Sequence, residues 1–290
     1  PPIIGIDQEG GQLMAVSEGV TALPGNMALG ATRSPELAEA AGRVLGTELL
    51  AMGVNLDFAP SVDVNNNPLN PVVGARSFGD DPILVSDLAR ALIRGMQSTG
   101  VIATAKHFPG HGDTTADSHH AVPVVHHPRE RLDALELHPF RAVTADGVGA
   151  VLSAHVVYDA LDPDMPATLS RRIMTDLLRD ELGYDGLALT DAMDMHAVSS
   201  RGLVSIREAL DAGNDLILLG HLPEQLALGR ALNHPVPQAT ADRITKARAR
   251  LPQALPSLDV LGCAEHRAIA QRIADAAITL VRGALPLHLD

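Results

Sequence analysis

The chain has 290 residues, 46% of them hydrophobic, enough for one large domain or two small ones with a substantial core. Acidic residues number 35 against 22 basic ones, a formal charge of −13, which argues against non-specific nucleic-acid binding because that needs a basic footprint. Aromatic content is 2% with no tryptophan, so the core must come from Ala, Leu, Val and Ile, and a ring-stacking platform has only Phe58, Phe78, Phe108, Phe140, Tyr158 and Tyr184 to draw on.

Cys263 is the single cysteine and excludes an internal disulfide, which leaves the compartment open. No segment resembles a signal peptide or a membrane span. The chain opens on "PPIIGID" without a methionine, as if in the middle of a fold. The natural N-terminus is therefore expected upstream, and the choice between a cytoplasmic, secreted or lipid-anchored protein rests with it.

In chain order, the apolar run "IIGID" (3–7) predicts a first buried strand. "SPELAEAAGRVLGTELLAMG" (34–53) predicts a helix with Ser34 as N-cap, Pro35 as its first residue and Gly53 closing it. "VNLDFAP" (54–60) predicts a strand, and "DPILVSDLARALIRGMQSTG" (81–100) a helix of the same grammar. The strand "VIATAKH" (101–107), a helix over 129–147, the strand "AVLSAHVV" (150–157), a helix over 170–183 and the strands "GLALTD" (186–191) and "DLILLG" (215–220) follow. "AAITLVRG" (276–283) is a further strand candidate.

Strand and helix alternate, which predicts a parallel sheet with helical crossovers. Polar residues fall at the strand ends: Asp7, Asp57, Lys106 with His107, His155 and Asp191. In a (β/α)8 TIM-like barrel those ends converge on one mouth. A dinucleotide fold would show a glycine fingerprint after the first strand, and none is present. The expected fold is thus an α/β (β/α)8 barrel over residues 1–257 that lacks its N-terminal strand and helix, followed at 258–290 by a C-terminal helix and strand.

Asp191 directly follows an apolar strand, where a charge has either a partner or a task. It reads as a nucleophile or base at the mouth, or as an N-cap of the next helix. Asp194 is the more ordinary of the two. Asp117 and His119 are spaced to hydrogen-bond each other, so that the carboxylate fixes the imidazole tautomer and raises its pKa; the alternative is a polar surface loop. Lys106, His107 and Arg76 are suited to grip hydroxyl or carbonyl groups. For Arg76 the alternative is a salt bridge with Asp80 or Asp81.

His107, His111, Asp113, Asp117, His119, His120 and the distant His155 are candidate ligands for zinc or another divalent ion. Pro109, Gly110 and Gly112 break the helix that His-x3-His ligation uses, so no metal is assigned. "PGHGDT" lacks the Gly-Lys-Ser/Thr ending of a phosphate loop, and its glycines read as hinges of a mobile loop over 109–115.

The segments "IGIDQEGG", "VNLDFAPSVDVN", "VVGARSFGDDP", "KHFPGHGDTTADSHHAVP", "AVLSAHVVY", "PATLSRRIMTDLLRDELGYDGLALTDAMDM" and "AGNDLILL" resemble glycoside hydrolase family 3 in their order. They are most similar to its β-N-acetylhexosaminidase branch, for which "KHFPGHGDT…DSH" is the distinguishing signature. The resemblance spans about residues 3–220. It implies a (β/α)8 barrel, no cofactor, Asp191 as the catalytic nucleophile and His119 as general acid/base with Asp117 as its dyad partner. It implies that Asp7, Arg76, Lys106 and His107 bind a terminal N-acetylglucosamine. It also implies that 264–287 resembles the entry to a second α/β domain. One departure stands at Gln12, where the branch carries Arg after "EGG"; this affects contacts at the rim.

The implied reaction is a retaining double displacement on N-acetylglucosaminides such as peptidoglycan fragments or chitooligosaccharides. The partner is then a small carbohydrate, with no nucleic acid and no membrane span; the oligomeric state is open. Phosphorolysis on the same scaffold, a metal-dependent barrel hydrolase and a non-catalytic sugar binder are the competing readings.

Overall fold

The computed structural model describes residues 1–115, 122–199, 202–221, 225–232 and 234–281. Its centre is a five-stranded parallel sheet. The strands are β1 (Gly5–Ile6), β2 (Leu56–Asp57), β3 (Ile102–Phe108), β4 (Ala150–Ser153) and β5 (Leu187–Thr190), and they neighbour one another in that order. The sheet curls into an open half-barrel. All five strands run the same way, so their carboxyl ends meet at one rim.

The crossovers are helical. Between β1 and β2 lie α1 (Asn26–Thr32) and α2 (Pro35–Ala51); α3 (Pro82–Gln97) joins β2 to β3. Ser34 caps α2 by accepting from the Leu37 N–H, and Asp81 caps α3 by accepting from Ile83. The two helices touch along their length because glycines stand at the crossing. A Cβ on Gly42 would lie 2.1 Å from the Leu92 carbonyl oxygen, and one on Gly95 would lie 2.0 Å from that of Glu39. A chain with few aromatic residues builds density this way, through close backbone approach and small side chains.

Several expected elements are altered. The helix expected over 129–147 is two helices, α4 (Arg129–Ala134) and α5 (Leu137–Ala145). Pro139 explains the break: its ring would collide with the carbonyl of Leu135, four residues back. The helix expected over 170–183 is π-helical over Arg172–Glu181. The strand expected at 54–60 forms a regular ladder only at β2, although the Ala59 and Pro60 carbonyls still accept from the Thr104 and Lys106 N–H groups, and the one at 215–220 is reduced to a parallel bridge between Leu216 and Leu189.

Later helices are α6 (Leu203–Ala212), α7 (Gln238–Ala249) and α8 (Ala264–Ala276). α8 packs on α1 and α2, with Ile273 buried. Glu48 on α2 ties this region down, accepting from Thr21 N, Thr21 Oγ1 and Gly262 N, with His266 Nδ1 at 2.7 Å from Oε1. The strand expected at 276–283 does not form over the described residues 277–281. Ile278 and Val281 are exposed there and meet no sheet edge that would bury them. No helix among the described residues is long and apolar enough to cross a membrane.

Candidate active site

The rim at the carboxyl ends of the strands encloses a cavity of about 330 Å³. Asp7, Arg76, Lys106 and His107 line it, and Asp191 with Ala192 lines it too. Leu13, Phe58, Val72, Leu152, Met195 and Leu218 supply apolar surface, and His111 completes the wall. Sequence elements far apart therefore meet in one concavity of a size that suits a small molecule.

Each polar residue has a local reason for its position. Asp7 follows β1, and its side chain is 45% exposed. Lys106 and His107 occupy the end of β3, a strand buried at every position. Between Lys106 and Phe108 the ladder with β4 shifts register, which takes His107 out of the pairing. The peptide between Lys106 and His107 is cis. Arg76 belongs to a short 3-10 turn, Gly74–Arg76.

The cations are held by carboxylates, Asp7 in the lining and Glu9 behind it. Lys106 Nζ donates to Asp7 Oδ1 at 2.6 Å and pairs with Glu9 Oε1 at 2.7 Å. Arg76 does not pair with Asp80 or Asp81. Its Nη2 and Nε donate to Glu9 Oε1 and Oε2 at 2.7 and 3.0 Å, and Asp81 is spent on the cap of α3. Glu9 reaches inward from a hairpin that pairs Gln8–Gly10 with Leu13–Met14. Gln12 sits exposed at the turn of that hairpin, next to Leu13 at the cavity.

Burial by itself would raise the Glu9 carboxyl, but Lys106 and Arg76 overcome it and bring its pKa to about 2. Burial likewise works against the charge on Lys106 and Arg76, and the carboxylates around them hold both above their usual values. Asp57 differs. It is fully buried, accepts from the Gln8 N–H at 2.9 Å, and burial pushes its carboxyl well above the ordinary range. It is a strut beneath the rim and not a lining group.

Asp191 extends from the end of β5, and its N–H donates to the Ser153 carbonyl at 3.2 Å. Its Oδ1 accepts from the N–H of Ala192, the next residue. An N-cap accepts from the second or third residue on, and the Met193 N–H is given to Leu218 O, so Asp191 is not spent as a cap. Burial opposes its charge, yet its surroundings, the Ala192 N–H and Lys106 among them, hold it below the ordinary carboxylate value. His155 lies with Nε2 3.0 Å from the Ala192 carbonyl oxygen and braces the backbone beside Asp191. Asp194 accepts from the His221 N–H, at 2.7 Å.

The candidate metal ligands are each engaged separately. His107 faces Asp63, His111 Nδ1 lies 2.7 Å from Thr114 Oγ1, Asp113 pairs with His127, and His155 Nδ1 meets Thr168 Oγ1. Among the described residues no group of three His, Cys, Asp or Glu side chains is arranged to hold a metal ion. Burial lowers the His111 pKa to about 4. Asp117, His119 and His120 lie outside the described residues.

The segment expected to be a hinge over 109–115 is anchored through most of its length. Asn70 Nδ2 donates to the carbonyls of His111 and Gly112. A Cβ at Gly112 would stand 1.7 Å from the Val64 carbonyl oxygen, so this glycine permits close packing.

The profile of the glycosyl hydrolase family 3 N-terminal domain matches residues 1–250. This chain belongs to glycosyl hydrolase family 3. A β-hexosaminidase A of Pseudoalteromonas piscicida is 37% identical over an alignment that covers 99% of this chain and 55% of that protein. The structure of a family 3 β-N-acetylglucosaminidase from Paenibacillus sp. str. FPU-7 superposes with a TM-score of 0.94 at 46% identity, over 100% of this chain and 59% of that one. NagZ from Neisseria gonorrhoeae, in complex with N-trifluoroacetyl-D-glucosamine, gives a TM-score of 0.83 at 32% identity, over 95% and 82% of the two chains. The family 3 domain thus spans little more than half the length of the first two.

Two residues of this family 3 site carried no assignment from sequence. Glu9 and Asp63 stand behind the lining and set its charges. For Asp63 the signal was present, since it stands between Val62 and Val64 where an unpaired charge would be costly; Glu9 follows Asp7 and Gln8 in a polar run and carried no such mark.

Proposed function

We propose that this family 3 domain is a retaining exo-β-N-acetylglucosaminidase that removes terminal N-acetylglucosamine from peptidoglycan fragments or chitooligosaccharides. The observation that carries the reading is Asp191. It is a carboxylate held ionised in a sugar-sized cavity whose remaining polar lining is Asp7, Arg76, Lys106 and His107. The family and the β-N-acetylglucosaminidase names of its relatives support the same choice.

In this reading Asp191 attacks the anomeric carbon as the bond to the leaving oxygen breaks, forming a glycosyl-enzyme ester. His119 gives its proton to the departing oxygen and Asp117 holds the imidazole in the donating form. His119 then takes a proton from the incoming water, whose oxygen displaces Asp191 and restores both groups. A histidine can fill both roles because its pKa lies near neutrality. Asp7, Lys106, Arg76 and His107 bind the sugar hydroxyls, with Glu9 keeping the two cations charged and in place. The half-barrel is read as part of a (β/α)8 barrel over residues 1–257, consistent with all strand ends facing one cavity.

The test is turnover of p-nitrophenyl N-acetylglucosaminide against the glucoside and the N-acetylgalactosaminide, with and without phosphate and with a chelator. Preference for the N-acetylglucosaminide, release of free sugar and indifference to chelator are expected. A sugar phosphate as the product would make the enzyme a phosphorylase, and chelator-sensitive activity restored by zinc would overturn the reading.

A further inference from the structure

Asp63 is fully buried, and its oxygens gather donors from three residues. Oδ1 accepts from the backbone N–H of His111 at 2.7 Å and of His107 at 3.1 Å. Oδ2 accepts from Ser61 Oγ at 3.0 Å and lies 2.7 Å from His107 Nδ1. A carboxylate only accepts, so the proton of that contact sits on Nδ1. The other ring nitrogen, Nε2, lies 3.5 Å from Arg76 Nη2, which only donates. A proton on Nε2 would point at a guanidinium N–H. Both contacts therefore select the same tautomer, with the lone pair on Nε2. At 3.5 Å that lone pair is poorly used by Arg76. His107 lines the cavity and Asp63 does not.

We propose that Asp63 is a positioning residue that locks His107 with its Nδ1 protonated, so that the cavity presents the Nε2 lone pair and selects a substrate hydroxyl that donates its hydrogen there. The substrate part of this inference rests on the sugar-binding reading given above; the tautomer part does not. Asp63→Asn separates charge from shape. The amide oxygen is needed by the His107 and His111 N–H groups, so the amide NH2 must face Nδ1. The ring then has to accept at Nδ1 and carry its proton on Nε2, against the guanidinium. The same inversion by an Asp-to-Asn change is the known consequence in serine-protease triads.

The test has two arms. Nitrogen-15 NMR of the purified, histidine-labelled protein, with His107 assigned by its loss in His107→Gln, reads the tautomer without turnover. The Nδ1–H form is expected near neutral pH; an Nε2–H tautomer or a doubly protonated ring in the wild type overturns the proposal, even if Asp63→Asn fails to fold. The second arm measures kcat/KM on aryl N-acetylglucosaminides with each ring hydroxyl replaced by hydrogen or by fluorine. Fluorine accepts but does not donate. At one position the wild type should treat fluorine as badly as hydrogen, and Asp63→Asn should narrow the gap to the parent for the fluorinated substrate alone. Asp63→Asn should also lose about 100-fold in kcat/KM on the parent. A wild type that tolerates fluorine at every position, or a folded Asp63→Asn of full activity, overturns the proposal. Absence of turnover on all glycosides counts against the proposed function, and the NMR arm still decides the tautomer.

Discussion

Glu9 grips Arg76 with both carboxylate oxygens, at 2.7 and 3.0 Å, and the same Oε1 atom meets Lys106 Nζ at 2.7 Å. One buried anion therefore serves two cations that line the cavity. Its position behind the lining makes it a structural neutraliser: without it, Arg76 would lose its carboxylate partner and Lys106 would keep only Asp7.

Glu9→Gln should therefore destabilise the fold by about 3–5 kcal/mol, the range for breaking a buried ion pair on one side. Chemical denaturation of the wild type and variant measures it. A loss below about 1 kcal/mol would show that the cations are hydrated in solution and do not depend on Glu9.

The same pair sets a pH dependence. The Glu9 pKa is about 2 in the folded protein against 4.5 for a free carboxyl, so the unfolded chain binds the proton first as pH falls. The stabilisation is complete above about pH 5 and is lost as pH falls from 4.5 toward 2; its size is on the order of 3 kcal/mol. The stability gap between wild type and Glu9→Gln should narrow over that window. A gap that stays constant there would remove Glu9 ionisation as its cause.

Asp191→Ala should leave the fold intact and lower kcat by about 10⁴-fold or more, as loss of a covalent nucleophile does. Circular dichroism and steady-state kinetics on the aryl N-acetylglucosaminide check both parts. Full activity in the folded variant would sink the nucleophile assignment.

His119→Ala should lose about 10²–10⁴-fold on substrates with poor leaving groups. The loss should be far smaller on activated aryl glycosides, whose leaving oxygen needs no proton. Rates measured across a series of leaving-group pKa values give the comparison, and equal losses along the series would argue against the acid role.

Gly112→Ala tests packing against hinging. The added Cβ would meet the Val64 carbonyl oxygen at 1.7 Å, so the variant should lose about 1–3 kcal/mol of stability. A thermal melt unchanged from wild type, with kcat reduced, would instead restore the hinge reading.

Much of the site was legible in sequence because strand ends announce themselves. Asp7, Lys106, His107 and Asp191 each terminate an apolar run, and a parallel sheet brings such ends to one rim. Arg76 was legible as a cation but not by its partner. Asp80 and Asp81 are its neighbours in sequence, whereas Glu9 is 67 residues away. The break before Pro139 was readable in principle from proline chemistry. Nothing local marked the shortening of the strands at 54–60 and 215–220, since pairing depends on what stands alongside.

The order of strands and helices, the parallel sheet and the chemical types gathered at the rim followed from the amino-acid sequence alone, because hydrophobic period and strand-end polarity are local properties of the chain. Which charge neutralises which was decided only by the tertiary structure. Glu9 under Arg76 and Lys106, and Asp63 under His107, are pairings across turns of the half-barrel. Burial in the folded chain removes water as a partner, and each charge must then take whichever opposite group the fold places within reach.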